Sequence, residues 1–415
     1  MIDTLRLAAR NLMRYRRRTW LTAALITIGM AAMLLFVALS GSFKQLMVGQ
    51  ITDSMLGHIQ VHRKGYVASI DSLPLQLNLQ PRQMNKLTSV METIPGIEAW
   101  SPRVKLGAMF SNYNESTTIR LNGVDPARET ATVPLLAGRL IDGGIKDGLV
   151  ARGHVLIPEL IAKGMKVKPG DAMVLVATNR DGSVNGMQFV VQGVLEGISG
   201  PGGRDGYLHI DDARELLRLE QPEVSEVALR LAPGVEQKAV LKALHDALDG
   251  LTNQMGKPVF EVHPWEALSP FANIAKMIDM MTLFIRILLV AIVLVSIMNV
   301  MIMAVFERTR EIGTLGAMGT RPGRILGLFL AEGALLGVLG AALGAIISLA
   351  AVAVMNQIGL QFDFGRQTGL MLHPHIAWRE VSAAALLVIV VATLATLQPA
   401  WKAARMDPNQ ALRQV

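Results

Sequence analysis

The sequence lacks cysteine altogether. This absence excludes a disulfide framework, a thiolate nucleophile and a metal site with cysteine ligands. Common catalytic motifs are absent too, since the 415 residues contain no G-x-S-x-G or H-E-x-x-H hydrolase motif and no P-loop of a nucleoside triphosphatase. We therefore expect no catalytic residue, no metal site and no ATP hydrolysis by the P-loop route in this chain.

The chain carries a net charge of +7, which does not indicate a nucleic-acid-binding surface. Its basic residues cluster beside apolar runs, where the orientation of a chain in a membrane explains them. Hydrophobic residues make up 51% of the sequence, a share that soluble domains rarely reach. We therefore expect membrane lipid, and no nucleic acid, among the partners.

Four apolar stretches reach the length of about 20 residues that a helix needs to cross a bilayer. They predict spans at 19–41, 283–306, 325–356 and 381–398. A cleaved signal peptide is the alternative for the first stretch, but its apolar run is too long for one.

Lys and Arg concentrate on the cytoplasmic side of short loops. Basic residues precede the first span, fill the loop between the second and third spans, and follow the fourth: Arg6, Arg10, Arg14, Arg16, Arg17 and Arg18; Arg308, Arg310, Arg321 and Arg324; Lys402, Arg405 and Arg413. The loop between the third and fourth spans has only Arg366 and Arg379. This pattern predicts that both termini and the second-to-third loop are cytoplasmic.

The predicted fold class is a polytopic α-helical membrane protein with four transmembrane helices and a large mixed α/β extracytoplasmic domain inserted between the first two. Besides the spans, the segments are a basic N-terminal segment (1–18), the stalks and large domain (42–282), a cytoplasmic loop (307–324), an outer loop (357–380) and a cytoplasmic tail (399–415). Helical spacing of apolar residues continues past the first span and precedes the second, which predicts two helical stalks.

Inside the large domain, alternating and apolar patterns predict strands at 58–62, 118–122, 172–178 and 188–194. A turn at 179–186 separates the last two. Amphipathic helices are predicted at 211–219 and 235–248.

Histidines and glycines in the large domain and the outer loop predict no ligand site. His58 and His62 would share one exposed face of a strand and lack a third ligand nearby. His373 and His375 are explained by a turn before the fourth span. The segment Gly197–Gly206 is interpreted as a flexible loop rather than a phosphate cradle, because no helix beginning with Lys and Ser or Thr follows it.

The stretch 299–319 resembles the end of the second span and the cytoplasmic loop of the MacB/FtsX-type ABC transporter permeases, the type VII or mechanotransmission family. The matching residues are Glu307, Arg308, Arg310, Glu311, Ile312 and Gly313. Two further matches follow the same family: Pro399 to Arg413 in the tail, and Gly123-Val-Asp-Pro126, Gly138-Arg139 and Gly170-Asp171 in the domain.

In that family the loop forms a short coupling helix that seats in the ATPase. The resemblance therefore implies that the six matching residues of the loop couple this chain to an ATPase. Gly316, Thr320 and Pro322 depart from the family pattern and affect the expected details of docking. The alternative is an ordinary cytoplasmic loop that obeys the positive-inside rule.

The third span carries small residues in a repeating pattern, at Gly333, Gly337, Gly340 and Gly344. Such glycines let membrane helices approach closely, either within the chain or across a dimer. Glu332 lies in the same span, where a carboxylate is costly unless it is neutral, paired or close to the cytoplasmic end. We predict a structural or coupling role for it. Arg286 lies near the outer boundary of the second span and can extend to the interface.

The resemblance implies a non-catalytic permease subunit in the bacterial inner membrane, without a cofactor of its own. Its expected partners are a separate ATPase that binds ATP and Mg²⁺, a second permease chain, identical or different, and a periplasmic chaperone or adaptor. The chain looks most like the lipoprotein-releasing permeases of the LolC and LolE type. Two alternatives stay open: MacB-like export of small amphiphiles with an adaptor, and FtsX-like regulation of a cell-wall hydrolase.

Overall fold

The computed structural model describes residues 2–197, 204–252, 256–364, 367–407 and 411. Its α-helices are α1 Ile2–Arg14, α2 Arg16–Ile51, α3 Pro81–Thr93, α4 Pro126–Thr132, α5 Glu159–Gly164, α6 Ile210–Leu216, α7 Gln237–Leu248, α8 Trp265–Leu268, α9 Phe271–Glu307, α10 Thr309–Ala317, α11 Pro322–Ile358 and α12 Trp378–Ala404. A π-helical turn follows α2 at Thr52–Leu56, and 3-10 turns cover Val67–Ser72, Leu75–Leu77 and Ala137–Arg139.

The β-strands are β1 Ile59–Arg63, β2 Ile97–Ser111, β3 Ser116–Val124, β4 Leu140–Gly143, β5 His154–Pro158, β6 Ala172–Thr178, β7 Val184–Leu195, β8 Gly206–His209, β9 Glu226–Leu231, β10 Phe260–Pro264, β11 Gln361–Phe364 and β12 Gln367–Met371.

The chain divides into two compact units, and the divisions fall inside α2 and α9. Residues 1–45 and 276–415 form the membrane unit, and residues 46–275 form the large domain. Among the described residues, four helices are long and apolar enough to cross a membrane: α2, α9, α11 and α12. The predicted fold class is confirmed, and each of these helices extends beyond the apolar stretch from which its span was predicted.

The membrane unit is held by apolar side chains that all four long helices contribute to one cluster. Ile26 and Met30 of α2, Ile297 of α9, Leu336 of α11 and Ala392 of α12 are buried in it. α11 packs along α12 and also contacts α1. The hairpin of β11 and β12 lies in the connection between α11 and α12.

The large domain is built on one sheet, with the strand order β10-β1-β9-β2-β3-β8-β5-β7-β4 and with β6 pairing to both β2 and β7. Most pairs are antiparallel, but β3 with β8 and β5 with β7 are parallel. α6 packs on β3 and β2, while α7 packs on β10 and α3. The sheet and these helices bury the main apolar core of the domain.

The predicted domain elements correspond to observed ones with shifted ends. The four predicted strands fall on β1, β3, β6 and β7, and β6 has the predicted bounds. The turn after β6 is shorter than predicted, because Thr178 already pairs with Val184 across the hairpin. The two predicted helices are α6 and α7, and α6 ends earlier than expected because Arg218 has a positive φ of 48°.

The predicted exposed face of the first strand is wrong. β1 lies between β10 and β9, so both of its edges are paired. His62 has no exposed surface, and Gln60 is buried as well, with its side-chain amide donating to the Leu56 carbonyl at 2.8 Å. The Tyr66 ring stacks on the His62 ring with centroids 5.3 Å apart. The polar residues that alternate along β1 therefore face a buried layer of polar and ionic side chains, not water.

That ionic layer is a row of side chains across three adjacent strands. His62 of β1 lies opposite Glu226 of β9, and Glu226 lies opposite Arg103 of β2. Glu226 Oε1 is 3.1 Å from Arg103 Nη1, and Glu226 Oε2 is 3.1 Å from Lys105 Nζ. Arg103 Nη2 also approaches Glu129 Oε1, at 2.8 Å. Burial alone raises the pKa of Glu226, but Lys105, His62 and Arg103 outweigh burial and hold that pKa well below its usual range.

We predict that Glu226→Gln lowers the free energy of unfolding by roughly 3–5 kcal/mol at pH 7, because the change leaves buried cations without their carboxylate. The folded pKa of Glu226 is below its unfolded value of about 4.3, so this contribution is present above that pH. It is lost progressively as the pH falls below about 5. The Gln variant should therefore show a flatter loss of stability in acid than the wild type, measured by chemical unfolding in mild detergent with tryptophan fluorescence.

Glu98→Gln is the matched control, since Glu98 also pairs with an arginine, Arg230, at 3.1 Å, but at the surface. It should change the free energy of unfolding by less than about 1 kcal/mol. A Glu226→Gln variant as stable as Glu98→Gln would show that the buried row contributes no net stability.

Candidate functional site at the junction of α9 and α10

The residues that resemble a coupling motif lie where the helix of the second span ends. Arg308 has φ −107° and ψ 16°, so it interrupts the helix between Glu307, the last residue of α9, and Thr309, the first of α10. The Thr309 hydroxyl donates back to the Phe306 carbonyl at 2.9 Å, which holds the turn. The end of the membrane unit that carries α10 is called here the loop end.

α10 has one buried face and one exposed face. Thr309, Ile312 and Gly313 are buried against the rest of the membrane unit. Arg310, Glu311 and Thr314 are exposed, and so is Met318 just past the helix end, with 70% of its surface accessible. Of the six predicted coupling residues, Arg308, Ile312 and Gly313 point inward, whereas Glu307, Arg310 and Glu311 remain accessible to a partner.

The turn after α10 contains two of the departures from the family pattern, Thr320 and Pro322. Gly319 has a φ of 82°, a conformation that favours glycine, and the Thr320 amide reaches back to the Leu315 carbonyl at 3.1 Å. Pro322 is the first residue of α11. Proline is well suited to that position, because the first amides of a helix have no partner within it.

Glu332 of α11 accepts hydrogen bonds from two other segments of the membrane unit. Its carboxylate has no exposed surface, and Arg308 Nη1 donates to its Oε1 at 2.9 Å. Asn11 Nδ2 of α1 donates to the same oxygen at 2.9 Å, and Arg18 Nη2 lies 3.9 Å from Oε2. The carboxylate is therefore paired, and it ties the start of α10 to α11 and to the N-terminal helices.

Tyr15 completes this group of side chains, which we call the Glu332 cluster: Asn11, Tyr15, Arg18, Arg308 and Glu332. The Arg308 guanidinium lies over the Tyr15 ring, 4.2 Å from its centroid. The Tyr15 hydroxyl donates to Glu311 Oε1 at 3.2 Å. Arg18 Nη1 also lies 3.6 Å from Glu307 Oε2. The N-terminal segment thus contacts both acidic residues of the predicted coupling motif.

The sequence interpretation missed Asn11, Tyr15 and Arg18. The basic residues of the N-terminal segment were assigned only to membrane orientation, although Asn11, Tyr15 and Arg18 follow the i, i+4, i+7 spacing of one helix face. Helical hydrogen bonding continues through Tyr15, whose amide donates to the Asn11 carbonyl at 3.3 Å. A polar stripe on a helix next to a span was the available signal.

The four glycines of α11 that were predicted to pack closely contact helices of the same chain. A Cβ on Gly333 would collide with Thr396, and one on Gly337 would lie 2.9 Å from the Ala392 Cβ, both on α12. On the other side, a Cβ on Gly340 would collide with Ile26, and one on Gly344 would lie 2.6 Å from the Met30 Cβ, both on α2. α11 therefore uses the first glycine pair against α12 and the second against α2.

In the large domain, one of the family-like motifs, Gly138-Arg139, positions the segment that follows α2. Arg139, which is buried, donates to the Ser54 carbonyl at 3.4 Å and to the Glu196 carbonyl at 2.9 Å. Asp53 pairs with Arg230 at 3.2 Å. Asp125 of the other motif caps α4 by accepting from the Ala127 and Arg128 amides. The π-helical turn after α2 is thus bonded to the body of the domain.

The remaining predicted positions form no such group. No cluster of three His, Cys, Asp or Glu side chains able to hold a metal occurs in the described part of the chain. His373 and His375 flank Pro374, whose carbonyl accepts from Asn356 at 3.0 Å in the connection before α12. Most of the glycine-rich segment, 198–203, and the tail residues Pro408 and Arg413 lie outside the described residues, as does Arg366 of the outer loop.

Comparison with known proteins gives a family match in each half of the chain. Residues 19–247 match the family model of the MacB-like periplasmic core domain, and residues 283–408 match that of the FtsX-like permease C-terminal region. The chain belongs to the MacB/FtsX family of ABC transporter permeases. It is thus a membrane permease with a periplasmic domain of the MacB type.

Relatives of this permease carry different names. The lipoprotein-releasing system transmembrane protein LolC of Neisseria meningitidis serogroup B is 21% identical, over 95% of this chain and 94% of its own length. An ABC transporter permease of Bacillus subtilis, YknZ, is 23% identical over 100% and 99%. The macrolide export ATP-binding/permease protein MacB 2 of Aeromonas hydrophila is 26% identical over 99% of this chain, which spans 60% of that relative's length.

We predict that Gly340→Ala reduces the stability of the permease by about 1–3 kcal/mol, because the added methyl group must displace Ile26 in a close helix contact. The measurement is thermal unfolding of the purified chain in mild detergent. Gly327→Ala is the control on the same helix, since nothing lies within 4 Å of a Cβ there. Equal unfolding temperatures for the two variants would contradict the assigned packing.

Proposed function

We propose that this permease is a subunit that converts ATP hydrolysis by a separate P-loop ATPase into conformational work on the periplasmic side of the bacterial inner membrane. Both termini and α10 would lie in the cytoplasm, as the arginine distribution predicts. ATP and Mg²⁺ would bind to the ATPase and not to this chain. The observation that carries the proposal is α10 itself: one face is exposed, the other is buried against the membrane unit, and the Glu332 cluster holds Arg308 at the start of the helix.

The exposed face of α10 has the composition of a docking surface. Glu311, Thr314 and Met318 are exposed at i, i+3 and i+7, with Glu307 and Arg310 beside them. Met is enriched at protein interfaces, and charged rim residues set the orientation of a partner more than its affinity. A helix that presents such a face from a short connection between two spans suits a socket on an ATPase.

Transmission of motion would follow from the buried side of the same helix. Arg308 and Glu332 join the start of α10 to α11. Tyr15 contacts Arg308 just before α2, and Arg18 of α2 contacts Glu307 at the end of α9. A displacement of α10 would therefore move the ends of α9, α11 and α2 together. α2 and α9 continue as helices to Ile51 and from Phe271, so they can act as the stalks that move the large domain.

Two permease chains would act with two ATPases. Together they would release lipoproteins from the membrane, aided by a periplasmic chaperone or adaptor. The relation to the lipoprotein-releasing relative supports this choice, because the alignment covers nearly all of both chains. Export of a small amphiphile is the second candidate, favoured by the similarity to the macrolide exporter. Regulation of a cell-wall hydrolase is the alternative to both transport functions, and the experiment below distinguishes it from them.

The proposal is tested by tagging the chain in its native host, crosslinking lightly, extracting in mild detergent and identifying the co-purifying proteins by mass spectrometry. We expect a P-loop ATPase in near-equal amount. A lipoprotein or its carrier beside it would support release, an adaptor would support export, and a hydrolase would support regulation. Recovery without any ATPase would contradict the coupling role.

Glu307→Lys combined with Glu311→Lys should reduce recovery of the ATPase by about tenfold, equivalent to about 1.4 kcal/mol of binding free energy. Glu92→Lys with Glu115→Lys makes the same change of charge on exposed positions of the large domain and should leave recovery unchanged. Tyr15→Phe removes the hydrogen bond to Glu311 while both carboxylates stay in place, so it tests that internal contact separately from docking. Full recovery with the double variant at α10 would overturn the assignment of this face.

A further inference from the structure

A cavity of about 560 Å³ lies among α2, α9 and α12 in the membrane unit. Leu34 and Val37 of α2 and Leu387 of α12 form part of its apolar wall. Two arginines also line it: Arg286 of α9 and Arg379 in the first turn of α12. It lies away from α10, because Arg286 is in the half of α9 that is remote from the loop end and Arg379 is at the remote end of α12.

Neither Arg286 nor Arg379 forms an ion pair with an acidic residue whose side chain the structure describes. Arg286 Nε is shielded from solvent and has no hydrogen-bond partner among the described residues. Glu380 also lines the cavity, but its carboxylate accepts from the Ala377 amide at 3.3 Å at the start of its own helix.

An arginine within a membrane-spanning helix is costly and is kept where it has a partner. Guanidinium groups bind phosphate with paired hydrogen bonds, and the remaining wall suits hydrocarbon chains. We propose that the cavity binds an anionic glycerophospholipid, with its phosphate between Arg286 and Arg379 and an acyl chain along Leu34, Val37 and Leu387. A soluble phosphate would leave the apolar wall without an occupant, and a zwitterionic lipid would bring a cationic headgroup beside the arginines.

The experiment uses the full chain, purified in mild detergent, stripped of lipid and titrated with phosphatidylglycerol or with phosphatidylcholine of the same acyl chains. Native mass spectrometry counts the bound lipids. We expect the wild type to bind one phosphatidylglycerol about tenfold more tightly than phosphatidylcholine. Arg286→Gln with Arg379→Gln should reduce this preference to about onefold, because both lipids then meet the same neutral wall.

Two further variants separate binding in the cavity from effects of misfolding or of overall charge. Ala383→Phe adds bulk at an exposed position of the lining and keeps the charge, so it should weaken binding of both lipids even if the double arginine variant fails to fold. Arg324→Gln removes one exposed positive charge at the loop end and should leave the preference unchanged. Equal binding of the two lipids by the wild type, or an unchanged preference in the double variant, would overturn the proposal. The proposal would also be overturned if Arg324→Gln reduced the preference for phosphatidylglycerol as much as the double arginine variant does.

Discussion

The membrane unit depends on one buried carboxylate. A charged group inside a membrane helix is tolerated only when other parts of the protein satisfy it, and Glu332 is satisfied by Arg308 and Asn11. Because those two residues come from distant parts of the chain, the requirement of one side chain fixes where the N-terminal helix and the start of α10 must lie. Arg308 reaches inward at the break between α9 and α10, so the same residue interrupts the helix and pairs with the carboxylate. With its start fixed in this way, α10 buries one face and leaves the opposite face accessible.

The large domain uses the same kind of interaction for a different purpose. In its sheet the row of His62, Glu226 and Arg103 crosses three adjacent strands, so the ion pairs specify the register of those strands as well as their order. In the membrane unit the ion pairs join helices that lie far apart in sequence. At the end of α2, backbone contacts from Arg139 and the pair of Asp53 with Arg230 bind the π-helical turn to the domain body. Each unit therefore holds its own end of α2 through polar contacts.

The sequence predicted the spans and strands whose formation depends on residues close together in the chain. The four spans follow from apolar length, and β6 follows from the alternation of its residues. The burial of His62 could not be predicted in that way, because its partner Glu226 is remote in sequence and a polar residue in an alternating strand normally faces water. The inward direction of Arg308 was missed for a related reason: charge next to a span is explained equally well by membrane orientation. Only the spacing of Asn11, Tyr15 and Arg18 contained a signal that could have been read.

The four close-packed glycines of α11, at 333, 337, 340 and 344, have a consequence for the order of biogenesis. Their close contacts are taken up by Thr396 and Ala392 on one side and by Ile26 and Met30 on the other, all within one polypeptide. These glycines are consequently not available as a contact between two copies. A newly inserted chain can complete its tightest helix packing before it meets any partner, and quality control in the membrane can act on single chains. Assembly of the transporter would then be a later step, which joins subunits that are already folded.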